Sequence, residues 1–282
     1  MSSLADHINE LKAAEAFSRQ SAIFDQLYSG DSIIEYKRQR VREHILNYVQ
    51  PLSNMLELNC GTGEDALFFA GLGHSIHATD ISKGMLDVFR KKLDNFNGAG
   101  RISIEECSFT DLDHLGIQQF NYVYSNFGGL NCTGELDKVL QSLNVLLKPG
   151  GVATLVIISR FCLWETLLCL KGKFTTAFRR FFARNGRKAN LEGVSFKCWY
   201  YSPSFIKRHL PKNFEILNVE GLCSIVPPSY FENFTAKYPR LYETLKRQEN
   251  RLSNRWPWKL IGDYFIISFK KNQLETGSNL TD

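Results

Sequence analysis

The feature that most constrains how this chain can fold is an ordered series between residues 55 and 80. Apolar Met55-Leu-Glu-Leu-Asn is typical of a short strand. It leads into Cys60-Gly-Thr-Gly, and a helical segment, a second strand and Asp80 follow. Gly61 and Gly63 let the backbone take conformations that other residues avoid, and they let a ligand approach closely. The series therefore predicts a ligand site at the carboxyl end of the first strand.

The alternation of strands and helices continues to residue 158. Ser82 can cap a helix with one apolar face, and strands are predicted over 102–106, 120–125 and 152–158. Two further strands, over 214–220 and 263–269, follow an irregular stretch. Strands that alternate with helices form parallel sheets. We therefore predict an α/β fold with a doubly wound, Rossmann-like, mostly parallel seven-stranded sheet, an N-terminal helical lid and an insertion after strand five.

The same series divides the chain into parts. The predicted parts are an N-terminal helical lid over 1–50, the Rossmann-like core over 51–160 and 203–270, an insertion or substrate lid over 161–202, and a disordered tail over 271–282.

The charge of the chain is concentrated in one segment. The net charge of +5 arises from 34 basic and 29 acidic residues, and seven of the basic residues lie between 171 and 188, a stretch without any acid. Without those seven, 27 basic residues stand against 29 acidic ones. A globally basic coat is therefore absent, and we expect no nucleic-acid partner.

The cysteines and the apolar windows indicate the compartment. The seven cysteines are odd in number and never fall in a CxxC or CxxH spacing, which favours reduced thiols over a disulfide framework or a metal site. The N-terminus is polar, and the most apolar window, 152–170, contains Arg160 and Glu165. We predict a cytoplasmic protein without a metal.

Two acids near the glycines indicate the chemistry of the ligand. Asp80 can accept hydrogen bonds from both vicinal hydroxyls of a ribose, so the ligand is nucleoside-like. The spacing Gly61-x-Gly63-x-x-Ala66 also fits a dinucleotide, and the spacing alone does not separate the two classes. Glu57 would repel a pyrophosphate but attract an ammonium or sulfonium group. A methionine-type cofactor therefore fits better.

These motifs resemble those of class I S-adenosylmethionine-dependent methyltransferases. LELNCGTG resembles the glycine motif of that family, ATD with Asp80 its ribose acid, DISKGML its adenine-side segment and LKPGG its turn before strand five. SNFGGLNC, at 125–132, resembles a subgroup of bacterial small-molecule methyltransferases. The resemblance implies S-adenosylmethionine as the cofactor and S-adenosylhomocysteine as its product.

The resemblance also implies roles for individual residues. Gly61 and Gly63 would pass under the methionine portion, Glu57 would help to hold its amino group, and Asp80 would bind the ribose. Ile81 and Met85 would pack on the adenine, and Asn126 and Phe127 would line the methyl-transfer side. The other residues assigned to the cofactor site are Asn59 and, from the N-terminal lid, Tyr28, Tyr36 and Arg40.

The chain departs from the family pattern after the third strand. Many members have an aspartate there that binds the adenine amino group, and this chain has Cys107-Ser-Phe-Thr instead. Ser108 or the backbone amide of Phe109 is the expected substitute. Asp111 is a competing acid, although a solvated loop position explains it better.

The chemistry requires few catalytic groups. Methyl transfer from a sulfonium is an in-line displacement on an activated donor, so alignment and exclusion of water can supply most of the catalysis. A base is needed only when the acceptor arrives protonated. We therefore predict no particular catalytic residue. Four candidate bases, each better explained by a structural or surface role, are His44, Tyr200, Tyr201 and His209.

The segment 163–188 mixes aromatic and basic residues and permits three interpretations. The favoured one is a solvated basic helix whose aromatic residues pack on the sheet. The second is a lid for an acidic or carrier-tethered acceptor. The least favoured is shallow contact with a membrane, since Phe174, Phe178, Phe181 and Phe182 recur at helical spacing beside cations.

Together these observations predict an enzyme that transfers a methyl group from S-adenosylmethionine to an oxygen or nitrogen atom of a small organic acceptor. Two alternatives stay open at this point. One is an NAD(P)-dependent oxidoreductase, which the GxGxxA spacing supports. The other is a non-catalytic partner-binding protein of the same fold, although such a protein has no need of the set formed by Glu57, Gly61, Gly63 and Asp80.

Overall fold

One mixed sheet organises the protein. The structure, a computed structural model, describes residues 3–115, 119–231 and 233–273. Seven strands lie in the order β3-β2-β1-β4-β5-β9-β8; strands β1 to β5 are parallel, and β9 runs antiparallel to both of its neighbours. This confirms the predicted fold class. The strands are β1 (Asn54–Leu58), β2 (Ser75–Asp80), β3 (Ile102–Glu106), β4 (Phe120–Ser125), β5 (Leu147–Ile158), β8 (Phe214–Leu222) and β9 (Tyr264–Lys271).

Helices precede, connect and follow these strands, and local sequence explains their ends. Ser82 caps α4 by accepting a hydrogen bond from the Met85 amide, and Asp31 caps α2 through the amides of Ile33 and Ile34. The helices are α1 (Leu4–Tyr28), α2 (Ser32–Leu46), α3 (Glu64–Gly71), α4 (Lys83–Leu93), α5 (Leu136–Leu146), α6 (Leu163–Thr166), α7 (Phe174–Ala177), α8 (Pro203–His209), α9 (Phe234–Lys237) and α10 (Pro239–Leu252).

Both faces of the sheet are buried, as a parallel sheet with covering helices requires. Alternate residues of a strand point to opposite faces, so Leu56 joins one apolar cluster and Met55 the other. The first cluster contains the leucines of α5, and the second contains Phe69 of α3 and Phe89 of α4. This leaves the carboxyl ends of the central strands as the free edge where polar side chains collect.

Helix α1 crosses that free edge and packs directly on α4. A Cβ atom on Gly84 would lie 2.8 Å from the Ser18 carbonyl oxygen, so only glycine permits this approach. Asn9 donates to the carbonyl oxygens of Cys132 and Lys197, at 2.8 and 3.1 Å. Helix α1 is thereby joined to the sheet edge and to the insertion.

The insertion contains a two-stranded hairpin of β6 (Arg187–Leu191) and β7 (Val194–Cys198). The first strand, with sequence RKANL, carries few residues that favour strands, and its turn is set by positive φ angles at Glu192 and Gly193.

The favoured interpretation of segment 163–188 is also wrong for part of its aromatic residues. Phe174 and Phe182 are 61% and 81% exposed, so they do not pack on the sheet. The segment forms only short helical turns, α6 and α7. Among the described residues, no helix is long and apolar enough to span a bilayer. Most of the predicted disordered tail, residues 274–282, lies outside the described residues.

Candidate active site

A cavity with about 900 Å³ of empty space, its open mouth included, lies at the carboxyl ends of β1, β2 and β4. Nine of the fourteen residues assigned from the sequence line it: Glu57, Asn59, Gly61, Asp80, Ile81, Met85, Phe109, Asn126 and Phe127. Helices α1 and α2 complete the wall.

Asp80 fixes the glycine loop relative to the second strand. One carboxylate oxygen accepts from the Gly61 amide at 2.8 Å, and the other accepts from the Ser82 amide at 2.7 Å. Burial raises the pKa of Asp80, and the backbone amides of Ser82, Gly61 and Ile81 oppose that rise. Each oxygen keeps a second lone pair, so the carboxylate can also accept hydrogen bonds from a ligand.

Glu57 forms a buried acidic floor. It is 3% exposed, and the Tyr124 hydroxyl donates to one of its oxygens at 3.0 Å. Burial, together with the nearby charge of Asp65, raises its pKa well above the ordinary value. Because a positive group would favour the ionised carboxylate, this floor suits a cationic part of a ligand.

Asn59 and Asn126 hold the loops around the cavity. The Asn59 side chain accepts from Ser125 Oγ at 2.5 Å and donates to the Asn126 carbonyl oxygen at 3.0 Å. The Asn126 amide group donates to Asp65 at 2.7 Å, and its oxygen accepts from the Phe127 amide. Both asparagines therefore have a clear positioning function, whether or not they also touch a ligand.

The two glycines of the loop have different functions. Gly61 has a φ angle of +56°, and a Cβ atom there would meet no atom within 4 Å, so this position faces open space along the cavity. Gly63 has a φ angle of +80°, and a Cβ atom there would lie 2.2 Å from the Phe89 ring. Gly63 does not line the cavity; its function is to let α3 pack against α4.

One stripe of α1 forms a wall that the sequence did not identify in full. Glu10, Ala13, Ala14, Phe17 and Phe24 recur at helical spacing and all line the cavity. Glu10 is 1% exposed; its Oε2 accepts from the hydroxyls of Ser108 and Thr110, both at 2.7 Å.

The other oxygen of Glu10 is available to a ligand. Among the described residues, Oε1 of Glu10 is buried without a hydrogen-bond partner. A buried unpaired oxygen is costly, so this atom points to a ligand donor. Glu10 is not identifiable from the sequence because about 100 residues separate it from Ser108 and Thr110 in the chain. The weak amphipathic pattern of α1 does not show its inner face.

The remaining wall contains one cation beside an aromatic ring. The Arg38 guanidinium carbon lies 5.3 Å from the centre of the Phe127 ring, within the range of a cation–π contact. Nη1 of Arg38 donates to Glu64 at 3.1 Å, and both side chains line the cavity. Arg38 is the only basic residue among the described residues that line the cavity.

Four of the assigned residues besides Gly63 are not brought into the cavity. The Ser108 hydroxyl donates its hydrogen bond to Glu10. Tyr36 is 5% exposed and donates to Asn250, and Arg40 is paired with Glu220 at 2.7 Å. These contacts correct the expectation that Tyr36 and Arg40 belong to the cofactor wall. Tyr28 packs on Phe24, at 4.7 Å between ring centres, and does not line the cavity either.

The candidate bases also lie elsewhere. His44 is 2% exposed and is held between Glu220 and Ser268, at 2.8 and 2.7 Å. Tyr201 donates to the Thr133 carbonyl oxygen, and His209 stacks on Phe205. Tyr200, the remaining candidate, does not line the cavity either. The guanidinium carbon of Arg180 lies 5.2 Å from the centre of its ring. Structural functions thus account for all four.

Comparisons with known proteins agree with this geometry. Residues 55–151 match the family described as Methyltransferase domain. The chain is 29% identical to malonyl-(acyl-carrier protein) O-methyltransferase of Buchnera aphidicola over 93% of this chain and 96% of that protein. It is 36% identical to demethylmenaquinone methyltransferase of Clavibacter sepedonicus, over only 34% of this chain and 38% of that protein.

Solved structures show the same fold. The CcbJ methyltransferase from Streptomyces caelestis has a TM-score of 0.59 at 15% identity, covering 90% of this chain and 96% of that one. The 1,6-didemethyltoxoflavin-N1-methyltransferase of Burkholderia thailandensis, solved with S-adenosylhomocysteine, has a TM-score of 0.56 at 13% identity, covering 97% of this chain and 93% of that one.

Residues 55–151 carry a methyltransferase domain, the comparisons support the class I S-adenosylmethionine-dependent, small-molecule type, and the protein is an enzyme. The predicted cofactor is confirmed as S-adenosylmethionine, and the two open alternatives, an oxidoreductase and a non-catalytic protein, are set aside. The residues present fit this cofactor. The buried carboxyl group of Glu57 suits its positive groups, and the open space at Gly61 leaves room for it. The unpaired oxygen of Glu10 can accept a hydrogen bond from it. Assignment to the SNFGGLNC subgroup stays a prediction.

The two glycines should respond differently to alanine. Gly61→Ala should cost about 1 kcal/mol of unfolding free energy from its left-handed backbone. Gly63→Ala should cost about 1–3 kcal/mol more, because its methyl group meets Phe89. Urea denaturation measures both. Calorimetry should show that Gly61→Ala weakens S-adenosylhomocysteine binding at least about tenfold. Equal stability of the two variants would contradict these assigned functions.

Proposed function

We propose that this enzyme transfers the methyl group of S-adenosylmethionine to an anionic oxygen atom of a small organic acid, either free or tethered to a carrier. When bound, the cofactor supplies a methyl group activated by a sulfonium. The residues of the cavity bind the two reactants, align them and exclude water, which are the contributions that an in-line displacement needs.

The observation that carries this proposal is the position of Arg38. It is the only basic side chain among the described residues of the cavity wall, and it lies beside Phe127, on the side assigned to methyl transfer. Glu64, its partner, is 43% exposed at the side chain, so an entering carboxylate can compete with a weak, solvated ion pair. A guanidinium suits a carboxylate because its N–H groups match both oxygens.

The other ionisable residues of the wall support an acceptor that arrives deprotonated. The described wall includes no histidine, lysine or tyrosine. Its carboxylates have other partners: Glu64 and Asp65 are held by Arg38 and Arg42, and the functions proposed for Glu10, Glu57 and Asp80 are on the donor side. The Cys60 thiol has a pKa raised well above its ordinary value by burial and by the charges of Asp80 and Glu57, so it is a poor source of thiolate. A carboxylic acid is ionised at neutral pH and needs no base, whereas most N–H and O–H acceptors do.

One of the relatives supports the same acceptor class. The Buchnera relative, which aligns over nearly its full length, is named for O-methylation of malonyl-(acyl-carrier protein), an acid tethered to a carrier. The quinone methyltransferases of Clavibacter sepedonicus and Haemophilus ducreyi align over only 34% of this chain. All seven cysteines are free thiols, which supports the cytoplasm as the place of action.

For the donor, we propose that Glu57 holds the amino group of the methionine portion and that Asp80 accepts from the ribose hydroxyls. Ile81, Met85 and Phe109 form the apolar slot for the adenine. Glu10 then binds the adenine amino group in place of Ser108, for which this role was predicted. Its free Oε1 is the acceptor for the exocyclic amine, the only N–H donor group on an N9-linked adenine.

The acceptor proposal is tested with radiolabelled S-adenosylmethionine and a panel of acids, carrier-tethered acids, phenols and amines. We expect base-labile methyl esters as products. Arg38→Met should raise the KM for the acid at least about tenfold through loss of a charged hydrogen bond, while the Kd of S-adenosylhomocysteine stays unchanged. Arg90→Met, at an exposed ion pair on α4, is the control. Methylation of amines alone, or an unchanged KM, would refute the proposal.

The Glu10 assignment is tested with S-inosylhomocysteine, in which a carbonyl replaces the adenine amine. The wild-type protein should prefer S-adenosylhomocysteine, and Glu10→Gln should reduce this preference at least about tenfold, because its amide can donate to the carbonyl. Calorimetry gives both Kd values. Glu15→Gln, on the exposed side of the same helix, should keep the wild-type preference. An unchanged preference in Glu10→Gln would remove Glu10 from adenine recognition.

A further inference from the structure

One surface of the insertion has no function in the site described above. We call it the aromatic–basic surface. It consists of exposed apolar and basic side chains within a single stretch: Leu170, Lys171, Lys173, Phe174, Phe178, Phe181, Phe182, Arg184, Arg187 and Lys188. Leu170 and Phe182 are each 81% exposed, and Phe174 is 61% exposed. Apolar side chains clustered at such exposure mark an interaction surface.

The inner side of this stretch is held by polar contacts. Ala177, Arg180 and Ala183 are buried, at 2%, 4% and 5% exposure. The Arg180 guanidinium donates to Glu165 at 2.5 Å and to the Asp263 carboxylate at 2.6 Å. It also donates to the Ser159 carbonyl oxygen at 2.9 Å.

This arrangement reverses the usual pattern of a surface helix, in which apolar residues face inward and charges face water. The buried arginine clamp and the two alanines fix the stretch to the sheet. Phe181 still packs on Phe161, at 5.7 Å between ring centres, but Phe174 and Phe182 extend into solvent, at 61% and 81% exposure. The fold therefore does not require Phe174 and Phe182, and a partner must explain them.

The positive charge of the surface indicates an anionic partner. From 166 to 191 the sequence has no acidic residue. The preceding acid, Glu165, is 1% exposed and paired with Arg179 and Arg180. Exposed cations beside protruding rings match the boundary of an anionic bilayer, where phosphates meet acyl chains, and each cation near it contributes about 1 kcal/mol.

The shape of the surface favours a bilayer over an acidic protein. None of its residues lines the active-site cavity or the shallow depression between Pro203 and Leu260. The rings protrude, as insertion into a fluid layer requires, and the long lysine side chains beside them can extend to phosphates. The Arg180 clamp holds the stretch at Ser159, directly after β5, so this surface lies on the sheet edge at which the cavity opens.

We propose that the aromatic–basic surface docks the enzyme onto bilayers that contain anionic phospholipids. The docking is peripheral. It is independent of the acceptor proposed above, because it uses residues outside the cavity and is measured without methyl transfer.

The test is sedimentation of the full-length protein with vesicles of phosphatidylcholine alone or mixed equally with phosphatidylglycerol. We expect binding to the mixed vesicles that weakens as salt increases. Phe174→Ser combined with Phe182→Ser should lower the partition constant at least about tenfold, because two inserted rings are lost. Lys171→Gln combined with Lys173→Gln should reduce the preference for the anionic vesicles.

The control replaces two exposed apolar residues elsewhere, Leu72→Ser with Val145→Ser, and should bind vesicles like the wild type. All variants should bind S-adenosylhomocysteine normally, which shows that they are folded. The proposal is wrong if the wild type ignores anionic vesicles or if the phenylalanine variant binds them equally well. Binding of an acidic carrier protein at this surface, without binding of vesicles, would also overturn it.

Discussion

The contact on which the active site depends is the pair of hydrogen bonds that Asp80 accepts. Its two oxygens take the amides of Gly61 and Ser82, and so one carboxylate joins the loop after β1 to the start of α4. The open space at Gly61 and the slot beside Met85 are both positioned by this join. An apolar residue at 80 would leave both amides without this partner and would release both walls.

Negative charge is the second common element of the site. Glu10, Glu57, Asp65 and Asp80 all line the same cavity, and burial raises the pKa of Glu57 and Asp80. Such an arrangement is unfavourable without a ligand and is relieved by a cationic one. The single guanidinium of the described wall, that of Arg38, lies beside Phe127, where we propose that the acceptor binds.

The sequence predicted the sheet and the glycine loop because their determinants are local. The strand periods, the cap at Ser82 and the spacing from Gly61 to Asp80 all lie within a few tens of residues. Contacts between distant segments were not predictable. Glu10 reaches Thr110 across 100 residues. Tyr36 was misplaced because α2 has two covered faces, and the packing of Tyr36 on Tyr242 of α10 turns it away from the cavity.

The most direct test of this account is the pH dependence of S-adenosylhomocysteine binding by calorimetry. Burial and the nearby charge of Asp65 raise the pKa of Glu57 well above its ordinary value, and the ammonium of the ligand favours the ionised form. The affinity should therefore rise as pH increases through that pKa, with release of a proton, and Glu57→Gln should abolish the dependence. An affinity that is independent of pH in the wild type, or an absence of binding, would contradict the account.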